Sequence, residues 1–477
     1  NKYRGIEVSK NINILWFRKD LRLNDNPALV KANLNSEILP IYILDTSHSN
    51  ESKMGSASKV WLHHSLKILN NSLDNKLNFY KGDPIKIINK LVQSNKINGI
   101  YWNNCYEQWE IKRDKEIKKK LTERGIQVKS YNGSLIREPW EVLKEDKTPY
   151  KVFTALYKKA YLFSDIVVKT LKKPIKINFL CKTDNFTSLD SLKLLPKLSW
   201  ASNIIKNWKV GEEEANLKAD NFFTKGIKDY KDGRNFPFKK NVSFLSPHIH
   251  FGEISPKQLW VKANNIENNQ NIEHFIREIC WREFSYYLLY HFPHLPKGNL
   301  QIKFNNFPWK NNDYYFDNWK MGKTGYPIID AGMRELYSTG YMHNRVRMIV
   351  ASFLVKNLLV HWRKGERWFW DCLFDADLAN NSASWQWVAG SGADAAPYFR
   401  IFNPVIQGQK FDEDGLYTKK YLPELKNIPK KYLFNPWEAP EDILKQANIN
   451  LGVNYPKPIV GIKESREKAL SAFSQIK

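Results

Sequence analysis

The chain has 477 residues and carries 74 Lys and Arg against 49 Asp and Glu, a formal net charge of +25. Hydrophobic residues make up 42% and aromatic residues 14%, which excludes a disordered chain and allows two or three domains, each with its own core. The positive charge is compatible with a nucleic-acid partner or with simple Lys enrichment, and by itself does not separate the two.

Residues 12–17 form a short apolar run that reads as a buried strand. A polar loop follows, in which Asn26 before Pro27 marks a helix start. ILPIYILD (38–45) is a second buried strand, and SKVWLHHSLKILNNSL (58–73) has helical spacing. LNFYKG, INGIYWNN and IQVKSYNG continue as strands, with KLVQSNK and EIKRDKEIKKKLTERG as helices between them. Strands alternating with helices predict a parallel, doubly wound α/β domain over 11–140. It lacks G-x-G-x-x-G after its first strand and lacks a P-loop, so the usual dinucleotide grip is not expected. YEQWEIKRD (106–114) follows a strand, where such sheets bind ligands, but an ordinary helix start is the simpler reading.

Residues 141–210 read as a Lys-rich interdomain linker with some helix. Strand patterns then vanish. Residues 271–292, 326–340, 341–362 and 441–448 all have helical spacing, so 211–477 is expected to be an all-α domain. MIVASFLVKNLLV (348–360) carries Lys356 and is shorter than the roughly 18 apolar residues of a membrane span, so it reads as a buried helix. The opening NKYRGIEVSK has no apolar core of the secretory kind, and it begins without Met. Cys105, Cys181, Cys280 and Cys372 are far apart without metal-ligand spacing. They read as reduced, mostly buried thiols, and a cytoplasmic location is expected.

Several constellations could carry chemistry. Trp362 to Pro404 holds five tryptophans (Trp362, Trp368, Trp370, Trp385, Trp387) with Asp375, Asp377, Asn380 and Asn381 between them. That mixture is too polar for plain core and too aromatic for plain loop, and it suits a pocket for a large flat ligand. Glu278, Trp281 and Arg282 share one helical face, as do Asn344, Arg345 and Met348 with Arg347 beside them. Taken alone, the first group also fits a surface salt bridge beside a core Trp, and the second a helix edge with a polar rim. Ser243 and Ser246 precede a helix start, where hydroxyls and backbone donors suit a diphosphate, although Ser before Pro is also a common cap.

Four stretches, WFRKDLRLNDNPAL (16–29), FDNWKMGKTGYPIIDAGMREL (316–336), GYMHNRVRMIVASFLVKNLLVHWRKGE (340–366) and DADLANNSASWQWVAGSGADAAPYFRIFNP (375–404), resemble the DNA photolyase/cryptochrome family. The likeness is nearest to bacterial cyclobutane pyrimidine dimer photolyases. It implies an α/β antenna-binding domain, a helical domain holding FAD, and light-driven repair of pyrimidine dimers in damaged DNA. By that resemblance Tyr230, Val242, Ser243, Phe244, Leu245, Ser246, Arg282, Arg347, Asp375 and Asp377 hold FAD, and Asn381 faces flavin N5. Trp385, Trp362 and Trp309 match an electron-transfer chain. Glu278, Trp281, Asn344, Arg345, Met348 and Trp387 match positions lining the lesion cavity, and Arg234 and Gln407 lie near the DNA backbone. Photolyases are base-flipping enzymes, and a damaged pair is already poorly stacked.

Photolyases specific for (6-4) photoproducts carry a His pair where this chain has His343–Asn344, so Asn344 points to the cyclobutane dimer. A cryptochrome-type blue-light photoreceptor without repair activity is the alternative. Met348 and both cavity tryptophans favour repair. For the antenna, Glu110 fits the folate-binding pattern and Trp109 departs from it. Methenyltetrahydrofolate, 8-hydroxydeazaflavin, another flavin or no antenna all stay open. A monomer is expected.

Overall fold

The computed structural model describes residues 11–48, 53–180 and 187–477. The expectations for the opening ten residues and for Cys181 fall outside these ranges. Five parallel strands, β1 Asn11–Phe17, β2 Ser36–Asp45, β3 Asn78–Gly82, β4 Ile97–Asn103 and β5 Gln127–Tyr131, form one sheet in the order β3-β2-β1-β4-β5. Helices α1 Pro27–Ala32, α2 Ser56–Ser72, α3 Pro84–Ser94 and α4 Gln108–Thr122 connect them. Covered on both faces, the central strands β1, β2 and β4 are largely apolar, while the edge strands β3 and β5 carry polar residues. In β1, Ile14 and Trp16 enter the core with Ile41, Ile100 and Trp102, while Leu15 and Phe17 enter the opposite one with Tyr42 and Trp61. The predicted start of α1 holds: the Asn26 side chain accepts the Leu29 N–H and Pro27 opens the first turn.

Residues 141–210 are more structured than a linker. Phe153–Tyr157 and Trp200–Ile205 are short helices, and the chain runs back beside the sheet, where Phe179 bridges to Ile38 and Thr187 to Phe79. The helical half follows, with α5 Gln270–His291, α6 Pro327–Thr339, α7 Asn344–Ser352, α8 Trp362–Cys372, α9 Leu378–Ala389 and α10 Pro404–Phe411 as its main elements. Among the described residues, Leu451–Tyr455 is the only β pairing after residue 211, and it is an isolated bridge.

The helix expected over 341–362 is broken. Regular α-helix ends at Ser352, Phe353–Asn357 makes a π-helical turn, and Leu359 takes a left-handed φ of 52°. Residues 349–360 are buried on every side, so their periodicity carries no mark of the break. Two histidines do the marking instead. His343 caps α7 by accepting the Arg345 N–H, and His361 caps α8 by accepting the Arg363 N–H. Lys356 is 2% exposed. Its ammonium donates to the Arg400 carbonyl at 3.1 Å, and burial pushes it down to about 8. No helix among the described residues is long and apolar enough to cross a membrane. Cys105, Cys280 and Cys372 are buried and unbridged, as expected.

Candidate active site

Helices α5, α7 and α9, with the segments 230–246 and 369–377, enclose a cavity of about 550 Å³, a size typical of ligand pockets. Fifteen of the expected residues line it: Tyr230, Arg234, Ser243, Ser246, Glu278, Trp281, Arg282, Asn344, Arg347, Met348, Asp375, Asp377, Asn381, Trp385 and Trp387. They come from five separate stretches of chain, so the fold supplies what no single motif could. Val242, Phe244, Leu245, Arg345 and Gln407 are not part of the wall. Leu245 points into the core, while Phe244, with a left-handed φ of 54°, packs on Tyr341.

At one end of the cavity the polar groups hold each other in place. Arg347 grips Asp375 with two hydrogen bonds of 3.0 and 2.8 Å, and the Ser246 hydroxyl donates to the same carboxylate at 2.6 Å. Asp377 caps α9 by accepting the Asn380 N–H at 2.7 Å, and it also accepts from the Tyr286 hydroxyl. Burial alone would raise the Asp377 carboxyl. His250, Arg282 and Tyr286 outweigh that and hold it well below the usual carboxylate range. The helix opening at Ser246 is only Ser246–His250, so hydroxyls rather than a long helix dipole define this corner.

Along the shared face of α5 the side chains have different partners. Glu278 pairs with Arg234 across the cavity mouth. Arg282 donates to the Ser134 carbonyl at 2.9 Å and lies over the Tyr286 ring. Trp281 stacks face to face on Phe153, with ring centroids 3.7 Å apart and planes 7° apart. On the facing helix, Asn344 is exposed and Met348 half-buried. Arg345 donates to the Asn235 side chain at 2.5 Å and covers the Phe411 ring, and Gln407 projects from α10 nearby in sequence to Phe411.

Asn381 donates its Nδ2 to the Glu366 backbone carbonyl at 3.0 Å, which leaves its Oδ1 for a ligand. The Glu366 carboxyl accepts from Ser382 at 3.2 Å, and burial pushes it up to about 7. Trp385 lies directly over Gly365, where a Cβ would come within 2.2 Å of the indole. Gly365 is one turn along α8 from the fully buried Trp362, and the half-buried Trp309 packs against His361, the residue before it.

Glu110 sits apart, in the α/β domain. It is 4% exposed, completes a capping box with Glu107 at the start of α4, and pairs with Lys19 at 3.0 Å. The helix-start reading of 106–114 therefore holds. Trp109 stacks on His48 with centroids 3.9 Å apart. Among the described residues, no group of three or more His, Cys, Asp or Glu is placed to hold a metal.

Sequence reasoning missed Phe153, Tyr286, His250 and Glu366. The apolar spacing of Val152, Phe153, Leu156 and Tyr157 was a usable helix signal for the first. For the others, nothing short of the fold says that a Tyr and a His meet Asp377.

Comparison with known proteins gives a consistent picture. Residues 275–475 match the model described as FAD binding domain of DNA photolyase, and residues 13–174 match the model described as DNA photolyase. The chain is 44% identical over 472 residues to the deoxyribodipyrimidine photo-lyase of Agrobacterium fabrum, covering 97% of this chain and 98% of that one. It is 36% identical to cryptochrome-2 of Arabidopsis thaliana, covering 97% of this chain and 78% of that one. The crystal structure of a bacterial class III photolyase from Agrobacterium tumefaciens superposes with a TM-score of 0.95 at 43% identity, covering 100% of this chain and 99% of that one.

Proposed function

The chain belongs to the DNA photolyase/cryptochrome family, and on that premise we propose that its cavity holds FAD beside a recess for a cyclobutane pyrimidine dimer swung out of DNA. The reaction is light-driven cleavage of the dimer, a carbon–carbon lyase activity. The observation that carries this reading is the single cavity in which an amide, a bidentate Arg–carboxylate pair and two indoles face one another.

The residues fit the cofactor. Arg347, Asp375 and Ser246 form a fixed polar corner suited to its phosphates and ribose, and Tyr230, Ser243, Arg282 and Asp377 extend it. The amide Oδ1 of Asn381 can accept from a flavin ring N–H and brings no negative charge. When bound and reduced, FAD supplies an excited electron on absorbing near-UV or blue light.

Trp281 and Trp387 offer flat apolar faces to the two bases, and extrusion costs least where stacking is already lost. Glu278 turns from Arg234 to the amide edge of the dimer and steadies negative charge there. Arg234, freed by that move, joins Gln407 and Arg345, neither of which lines the cavity, at the DNA backbone, while Asn344 stays at the lesion. Trp385, Trp362 and Trp309 return an electron to oxidised flavin after excitation.

In the α/β domain Glu110 is engaged with Lys19, so an antenna such as methenyltetrahydrofolate or a deazaflavin would have to open that pair or sit elsewhere. The protein acts as a cytoplasmic monomer.

The test is direct. The purified protein binds a duplex carrying one cyclobutane dimer in preference to the undamaged duplex, and illumination yields monomeric thymines. Bound flavin without conversion of dimers would support the photoreceptor reading instead.

A further inference from the structure

Resting on the reading of Trp385, Trp362 and Trp309 as an electron path, we propose that His361 is the bridge that couples its two outer indoles. The imidazole of His361 is in ring contact with both, with centroids 5.0 Å from Trp309 and 5.5 Å from Trp362. Trp309 and Trp362 make no ring contact with each other among the described residues. The imidazole is therefore the ring that the two indoles share as a neighbour.

Its position is fixed from three sides. The His361 backbone N–H donates to Asn311 Oδ1 at 3.0 Å. Its Nδ1 accepts the Arg363 N–H at 3.1 Å, which places the ring proton on Nε2. The two indole rings pack against it at tilted angles. The charged groups that face it are Arg363 and Arg367, and burial together with these cations pushes His361 down to about 4. The bridge is thus neutral at working pH and sets no positive charge in the way of a passing radical cation.

The surroundings are built for passage rather than trapping. Trp362 is fully buried, and its indole N–H donates to Asn299 Oδ1 at 2.9 Å, an amide that will not take the proton. A hole on Trp362 keeps its proton and stays mobile. Trp309 is half-buried, with water within reach. The steps balance as single-electron transfers. One electron leaves Trp385 for light-excited oxidised flavin, one from Trp362 refills Trp385, and one from Trp309 crosses the His361 ring to refill Trp362. The hole that remains on Trp309 sheds its indole proton to water. His361 is neither oxidised nor protonated along the way, since imidazole is harder to oxidise than indole.

The test separates the bridge from the cap, because His361 is also the capping residue of α8. His361→Asn keeps a side-chain acceptor for the Arg363 N–H and removes the ring. His361→Phe keeps a ring and removes the acceptor. In the FAD-loaded full chain, transient absorption follows the tryptophanyl radical after a laser flash. His361→Asn should lose most of the long-lived radical and photoreduce several-fold more slowly, while His361→Phe should stay near wild type despite a lower thermal stability. The opposite ranking, or a His361→Asn signal equal to wild type, overturns the bridge. Trp309→Phe and Trp362→Phe are the controls for the underlying path. If they leave the radical yield unchanged, the path itself is misplaced; if they abolish it while His361→Asn does not, only the bridge fails.

Discussion

Phe153 offers the sharpest test of how the lesion recess is built. It is 2% exposed and lies flat on Trp281, 3.7 Å away with planes 7° apart. Its ring therefore fixes the orientation of the indole, and with it the angle at which a base would meet Trp281 in the proposed recess. Phe153→Leu keeps most of the volume and loses the stack. The substitution itself costs under about 1.5 kcal/mol, and the lost aromatic pair adds about 0.5–1.5 kcal/mol, so the protein should still fold. Freeing the indole reintroduces an ordering cost of about 0.5–1.5 kcal/mol on binding, which weakens affinity for the dimer about two- to tenfold. For comparison, Trp281→Ala removes a base-stacking surface worth about 1–3 kcal/mol. Fluorescence anisotropy titration of a dimer-bearing oligonucleotide measures both. With Trp281 already Ala, Phe153→Leu should cost nothing further in affinity, because no indole remains to be positioned. If the two losses add, or if Phe153→Leu leaves affinity untouched while Trp281→Ala weakens it, Phe153 does not act through Trp281.

Other expectations follow from the same geometry. Affinity for DNA should fall with salt with a log–log slope of about −0.9 per phosphate contacted, and Arg345→Ala should make that slope shallower by about 1, which a titration at several salt concentrations reads. Trp362→Phe should block photoreduction of the oxidised flavin while repair by chemically reduced enzyme persists; loss of both would place Trp362 in the binding machinery. The buried Glu335 accepts from the His343 N–H and the Tyr417 hydroxyl, and burial pushes its carboxyl from 4.5 up to about 7. The folded protein then keeps a proton that the unfolded chain releases, so stability falls as pH rises from about 4.5 through about 7. Glu335→Gln removes that contribution, up to about 3 kcal/mol, and urea unfolding across this window should show a flatter profile than wild type.

Much of this architecture is legible in the sequence. The apolar runs of β1 and β2, the Asn26–Pro27 start of α1 and the spacing of α5 each follow from local physics, and the structure realises them. The break after Ser352 was not legible, because a helix buried on all sides carries no periodic signal to lose. Phe153 was hidden inside a segment whose charge made it look like a connection. The Glu278–Arg234 pair joins residues 44 positions apart, and pairings of that kind are set by how helices pack. Helical spacing brings Trp281 and Arg282 to the same cavity, but their partners, Phe153 and Ser134, come from upstream of the helical half.

The most direct measurement is the yield of monomeric thymine from a dimer-bearing oligonucleotide mixed with the chemically reduced, FAD-loaded protein, in light and in darkness. Illumination should release thymines catalytically, over many turnovers, with none in the dark. Intact dimers after illumination of fully reduced protein that has bound the DNA would contradict the account.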